Sequence, residues 1–194
     1  LIDGFSDSHW ASDPDSHDGT LFSLDLDSLA PQAAAPHSPA NAAAITDHDS
    51  PQFTVAYIGA CTGAKLDDLR AAAGMLKGRT VASGTRLLVA PASRADQAQA
   101  ADEGVMAILE SAGATILATA CGMCAGYGPN RLAADDVCIS STARNFRGRM
   151  GAPGSRVWLA SPASVAAAAV TGRLTDPREI DPHGTQRNTI GGTS

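Results

Sequence analysis

The chain has 194 residues, room for one sizeable domain plus extensions, and a formal net charge of -6. That charge argues against a general nucleic-acid binder, because phosphate contacts need a positive face, although it leaves space for a local basic pocket. The composition is 44% hydrophobic but only 4% aromatic, so the core must be built from Ala, Val, Leu and Ile, residues that let helices and strands approach closely.

No run is apolar and long enough to span a bilayer; the best candidate, residues 157–170, is broken by Ser161-Pro162. The opening LIDGFSDSHW lacks the basic start and apolar core of a secretory signal. It also lacks an initiator Met, so a piece of a longer chain with a cytoplasmic location is expected. Four cysteines in such a chain favour metal or redox chemistry over a disulfide framework.

Residues 1–20, rich in Asp, Ser, His and Gly, show no period and read as a loose surface segment. Residues 22–27, FSLDLD, alternate strictly and predict a half-buried strand. From 30 to 41 the chain is Ala-rich with Pro31, Pro36 and Pro39, which predicts an extended connector rather than a helix. Together these form an N-terminal arm over residues 1–50, followed by a compact α/β domain over 51–174 and a polar tail over 175–194.

Within the domain, residues 53–58 read as a buried parallel strand ending at Gly59. Residues 65–76 predict a helix with Leu66, Leu69, Ala73 and Leu76 on one stripe. A second strand follows at 86–90. Ser93 and Asp96 then start a helix whose core face is Ala98, Ala101, Val105, Ile108 and Leu109, closed by Gly113. Further strands are expected at 115–118, 137–140 and 157–159, and a last helix between Ser161-Pro162 and Gly172. This alternation predicts a three-layer, doubly wound, mostly parallel sheet covered on both faces. Ligands in such sheets sit beyond the carboxyl ends of the strands. Cys61 follows the first of these strands and Cys121 and Cys124 the third, so all three fall on one edge.

A lone C-x2-C leaves zinc, thiol redox and iron–sulfur chemistry open. Zinc usually recruits His or a second C-x2-C, but the five histidines (His9, His17, His37, His48, His183) lie in the arm or tail. A redox pair typically opens a helix, which Gly126, Gly128 and Pro129 disfavour here. Three thiolates on one edge suit a cubane cluster in which one iron lacks a protein thiolate and can act as a Lewis acid. The plainer alternative makes Cys61 a core residue at a strand end. Cys138, inside an apolar strand, reads as core. Arg144, Arg147 and Arg149 crowd six residues of an acidic chain, and Gly148 and Gly151 mark a loop there. Guanidinium forks suit two-point binding of carboxylates; the competing reading is an ordinary solvated basic loop.

Cys61-Thr62 after a strand and Gly, then CGMC, ARNFRGR, and SPASVAAAAV followed by GR, together resemble the aconitase superfamily. Within it the resemblance is to the large subunits of 3-isopropylmalate dehydratases and their homoaconitase relatives. LFSLDLDSLAPQ and PHSPAN resemble the segment leading into the third domain of those subunits. The resemblance covers residues 12 to 178 or so and only the carboxyl-terminal part of that subunit.

It implies an aconitase-type iron–sulfur domain with Cys61, Cys121 and Cys124 as ligands of a [4Fe-4S] cluster. It also implies Arg144 and Arg149 as substrate-binding residues of an N-R-x-F-x-G-R loop, with no role for Arg147 or Cys138. The implied function is a hydro-lyase moving a hydroxyl between adjacent carbons of a branched 2-hydroxy di- or tricarboxylate, as in leucine biosynthesis. Its partners would be that small carboxylate, the remaining large-subunit domains and a small subunit, with no nucleic acid and no membrane. The family's base serine comes from those other parts, so no catalytic residue is expected in this chain. Two positions depart from the family: Ala60-Cys61-Thr62-Gly63 stands where S-C-T-N is usual, and Ala143 stands where Asn is usual. The alternative function is a non-catalytic cluster-binding module with a redox, iron-sensing or interaction role.

Overall fold

The computed structural model describes residues 15, 19, 20, 23, 25 and 27–180. The strand expected at 22–27 lies largely outside the described residues, as do most of segment 1–20 and residues 181–194. The Ala/Pro stretch forms no α-helix; it supplies a short strand, β1 (Gln32–Ala34), and a 3-10 turn at Pro39–Asn41, and β2 (Ala42–Ala44) follows it directly. Then come β3 (Val55–Gly59), α1 (Leu66–Leu76), β4 (Arg86–Ala90), α2 (Arg94–Asp102), α3 (Val105–Ser111) and β5 (Thr115–Ile116). The chain continues through β6 (Val137–Ser140), β7 (Arg156–Ala160), α4 (Pro162–Thr171) and α5 (Pro177–Ile180).

Among the described residues one seven-stranded sheet results, in the order β2-β1-β7-β6-β3-β4-β5. The strands from β7 to β5 are parallel, while β1 runs antiparallel to both β7 and β2. The α/β, mostly parallel sheet expected from the alternation is therefore present. Ala33 opposite Ala160 and Ala34 opposite Leu159 fix the register of the added edge. Pro31 and Pro36 flank β1, outside its ladder, where a missing N–H costs nothing.

Helix caps match the residues that announce them. Ser93 Oγ accepts from Asp96 N–H at 3.0 Å, and Ser161 Oγ accepts from Ser164 N–H at 3.2 Å, with Pro162 in the first turn. The helix expected from Ser93 onward is instead two helices, because Gly104 takes a left-handed φ of 75° and starts α3 afresh. That break resets the helical phase. Ala98 and Ala101 end up exposed, and Ala100, Val105, Met106 and Leu109 carry the buried face.

The two faces of the sheet are covered differently. On one, Leu69 and Leu76 of α1, Leu109 of α3 and Val165 of α4 pack against Ala56, Ile58, Leu87, Val89 and Ile139. Each such buried Leu contributes about 1.5–3 kcal/mol. On the other, Val55, Tyr57, Leu88, Cys138 and Val157 are covered by Met123, Leu132 and Met150, which lie on a 3-10 turn and loops. The third layer is thus loop rather than α-helix. Helical connections carry the chain from β3 out to β4 and β5, and the return to β6 crosses the loop-covered face. Strand order reverses between β3 and β6, the point where open α/β sheets bind ligands. Among the described residues no helix is long and apolar enough to cross a membrane.

Candidate functional site

Three connections meet at the carboxyl ends of β3 and β6. After β3, Ala60 adopts a φ of 46°, a left-handed conformation that costs a non-glycine residue roughly 1–2 kcal/mol. The chain turns there and leaves Cys61 and Thr62 exposed. After β6, the Ser141 hydroxyl accepts from Gly59 N–H at 3.0 Å and donates to the Gly63 carbonyl at 2.8 Å, tying the two strand ends together.

The third connection follows β5. It holds Cys121 at the start of a single 3-10 turn, Gly122–Ala125, that carries Cys124. Gly126, with φ of 75°, ends the turn at once, so C-x2-C opens no α-helix. A Cβ on Gly126 would lie 3.2 Å from Gly151 N and 3.3 Å from Arg149 O. The missing side chain lets the cysteine turn rest against the backbone of the arginine loop.

The result is a cleft of about 180 Å³ lined by Cys61, Thr62, Cys124, Ala143, Arg144 and Arg149. A neighbouring cleft of about 160 Å³ is lined by Cys61 and Cys121, with Pro91 and Thr119. The five residues singled out from the sequence therefore border two clefts that share Cys61. Arg147 lines neither; it is exposed, with Nη1 donating to the Pro153 carbonyl at 3.5 Å. A larger cavity of about 550 Å³, beside Pro129, Arg131 and Pro153, is lined by no cysteine, so chemistry rather than volume singles out the smaller clefts.

All four cysteines are free thiols. Cys61 and Cys121 are exposed, Cys124 is half-buried, and Cys138 is fully buried in β6. The exposure of Cys61 counts against its reading as a core residue. Burial pushes the Cys124 thiol up, nearby Arg149 pulls it down, and Cys121 and Cys61 push it up again. Arg149 Nη2 stands 4.0 Å from Cys124 Sγ, while its Nε is buried without a partner. Burial also raises the Cys138 thiol, with Asp136 adding to the effect.

Among the described residues, no His, Asp or Glu lines either cleft. Among the described residues, no three of His, Cys, Asp and Glu are grouped closely enough to hold a metal ion. The donor set is thiols with an unpaired guanidinium N–H beside them, which suits a thiolate-bound anionic group.

Sequence reasoning missed two residues here. Ser141 belongs to a Ser-Ser-Thr run directly after an apolar strand, and hydroxyls at a strand end were the available signal. Asn145 is fully buried, and its Nδ2 donates to the Ala35 carbonyl at 2.8 Å, pinning the arginine loop to the connector. The departure at Gly63 also has a local cause: a Cβ there would lie 2.1 Å from the Ser141 carbonyl oxygen, so this turn has no room for a side chain.

Residues 48–172 match the aconitase family (aconitate hydratase). The chain is 45% identical over 157 residues to the 3-isopropylmalate dehydratase large subunit 2 of Archaeoglobus fulgidus, covering 81% of this chain and 38% of that protein. It is 45% identical over 156 residues to the 3-isopropylmalate dehydratase large subunit of Herpetosiphon aurantiacus, covering 80% and 37%. It is 43% identical over 169 residues to the homoaconitase large subunit of Thermus thermophilus, covering 87% and 40%. The matched stretch is 37 to 40% of the length of these curated relatives. The chain belongs to the aconitase family.

Proposed function

We propose that this chain is the part of a [4Fe-4S]-dependent hydro-lyase, of the 3-isopropylmalate dehydratase type, that carries the cluster and grips substrate carboxylates. One observation carries the reading: Cys61, Cys124, Arg144 and Arg149 share a cleft at the switch point of the sheet, with Cys121 beside it. A single zinc ion would need its thiolates on one small sphere, about 2.3 Å from the metal. A cluster distributes its thiolates over different irons, which accords with cysteines that line two adjoining clefts. The buried, unpartnered Nε of Arg149 supports an anionic occupant, since an orphaned donor costs about 1–3 kcal/mol.

Cys61, Cys121 and Cys124 would hold the cluster, which when bound supplies Lewis acidity toward a substrate hydroxyl. Arg144 is exposed at the rim and Arg149 half-buried beneath it, so a dicarboxylate can be held at two points and oriented. Cys138, sealed in β6, takes no part. The relatives are named large subunits, which supports a small subunit and the rest of a large subunit as partners. Those parts would supply the base and close the cleft. The substrate is a branched 2-hydroxy di- or tricarboxylate, and leucine biosynthesis in the cytoplasm is the setting that goes with it.

Gly63 and Ala143 put no polar side chain into the cleft, and this favours a second reading, a cluster-binding module without turnover. The two separate in one assay. Assembled with the rest of a large subunit and a small subunit, the chain should dehydrate 3-isopropylmalate, seen as rising ultraviolet absorbance of the unsaturated product. Full cluster occupancy with no turnover of isopropylmalate, homocitrate or citrate would establish the second reading instead.

A further inference from the structure

Between Ala60 and Gly63 the chain makes one tight turn, closed by the Gly63 N–H donating to the Ala60 carbonyl at 3.4 Å. Ser141 Oγ holds both sides of it, accepting from Gly59 N–H and donating to the Gly63 carbonyl. A side chain on Gly63 would strike the Ser141 carbonyl, so the turn lies directly against the residue that follows β6. Thr62 stands at the corner of this anchored turn. It is exposed, and it lines the same cleft as Arg144 and Arg149.

The neighbouring hydroxyls are already engaged. Ser140 and Thr142 bond each other at 2.9 Å, and Ser141 spans the turn. The Thr62 hydroxyl has no hydrogen-bond partner among the described residues. It is also the one hydroxyl at that cleft, whose other lining side chains are two thiols, a methyl group and two guanidinium groups. An exposed threonine is ordinarily just solvated. Here the backbone beneath it is fixed and two cations share its cleft. A carboxylate offers about four lone-pair sites, and a bidentate guanidinium takes two, which leaves room for a hydroxyl donor from another direction.

We infer that the Thr62 hydroxyl donates a hydrogen bond to a substrate carboxylate gripped by the arginines, which makes Thr62 a third substrate-binding residue of the cleft. This rests on the carboxylate-grip reading above. The arginines supply charge; the hydroxyl adds a direction that neither fork supplies.

The test compares wild type, Thr62→Val and Thr62→Ser in the enzyme assembled with the remaining domains and small subunit. Val keeps the shape without the hydroxyl, and Ser keeps the hydroxyl. Two quantities are measured anaerobically: kcat/KM for 3-isopropylmalate, and the Kd of isopropylsuccinate, which has both carboxylates but lacks the substrate hydroxyl. Thr62→Val should lower the first and weaken the second, each about ten- to hundred-fold, the scale of a hydrogen bond to a charged group. Thr62→Ser should stay close to wild type. Iron and sulfide counts and the cluster's reduction midpoint should be equal in all three. Thr62→Val matching wild type with both compounds would overturn the assignment, as would Thr62→Ser failing as badly as Thr62→Val. A loss confined to isopropylmalate would overturn it too, because the partner would then be the substrate hydroxyl. So would a shifted midpoint with unchanged isopropylsuccinate binding, which would give the hydroxyl to the cluster. Wild-type enzyme that carries a full cluster yet binds neither compound would instead remove the carboxylate grip, and this assignment with it.

Discussion

The helix-covered and loop-covered faces of the sheet solve different problems. The first buries Leu69 and Leu76 of α1 and Leu109 of α3 beside α4, and its function is cohesion. The second buries Tyr57 and Cys138 under a 3-10 turn and loops, and at its rim sit the exposed thiols, the arginine loop and a left-handed Ala60. Among the described residues, the unpartnered buried groups Tyr57 Oη, Asn145 Oδ1 and Arg149 Nε belong to this second region. Strain and unpaired polar groups collect where a site is built and persist because packing elsewhere holds the fold. One face supplies stability that the other uses.

Substitutions on the two faces should therefore dissociate stability from cluster binding. The largest effect belongs to Cys124→Ala. It should abolish iron and sulfide uptake on reconstitution while cluster-free stability stays within ~1 kcal/mol of wild type by urea unfolding. A variant that still bound a full cluster would remove Cys124 from the ligand set. Leu69→Ala, on the helical face, should do the reverse: a loss of about 2–5 kcal/mol in urea unfolding, with cluster stoichiometry of the folded protein unchanged. If it lost the cluster at full folding, the two faces would not be separable.

Next come the arginines, tested in an enzyme assembled with the remaining domains and small subunit. Arg144→Lys and Arg149→Lys keep the charge but lose the planar fork, so each should lower kcat/KM by roughly 1.5–3 kcal/mol, about ten- to hundred-fold. Arg147→Lys, outside both clefts, is the control and should change nothing; an equal loss there would refute the two-residue grip. Smallest is Cys138→Ala, which should keep the cluster and cost on the order of 1 kcal/mol for a small buried side chain. Loss of the cluster in that variant would place Cys138 with the other three.

Much of this division is legible in the residues, and the exceptions have physical causes. Period-3.6 stripes and caps at Ser93, Ser161 and Gly172 announce the helical face, because each is a local signal. The gathering of Cys61, Cys121 and Cys124 on one edge follows from strand–helix alternation alone. The two helices around Gly104 were less legible, since the apolar pattern runs on through a residue whose backbone does not. Ser141 and Asn145 escaped because their roles depend on distant partners: Asn145 meets Ala35 across 110 residues and Ser141 meets Gly63 across 78. Composition and period carry no information about such pairings. The pairing of Gln32–Ala34 with β7 is hidden for the same reason.

The claim on which the rest depends is that three thiols on the loop-covered side hold an iron–sulfur cluster. Anaerobic reconstitution of the chain with iron, zinc and sulfide all available tests it most directly, with metal and acid-labile sulfide counted per chain. About four irons and four sulfides, with the paramagnetic signal of a cubane cluster on reduction, is the expected result. Stoichiometric zinc with no bound sulfide would contradict it.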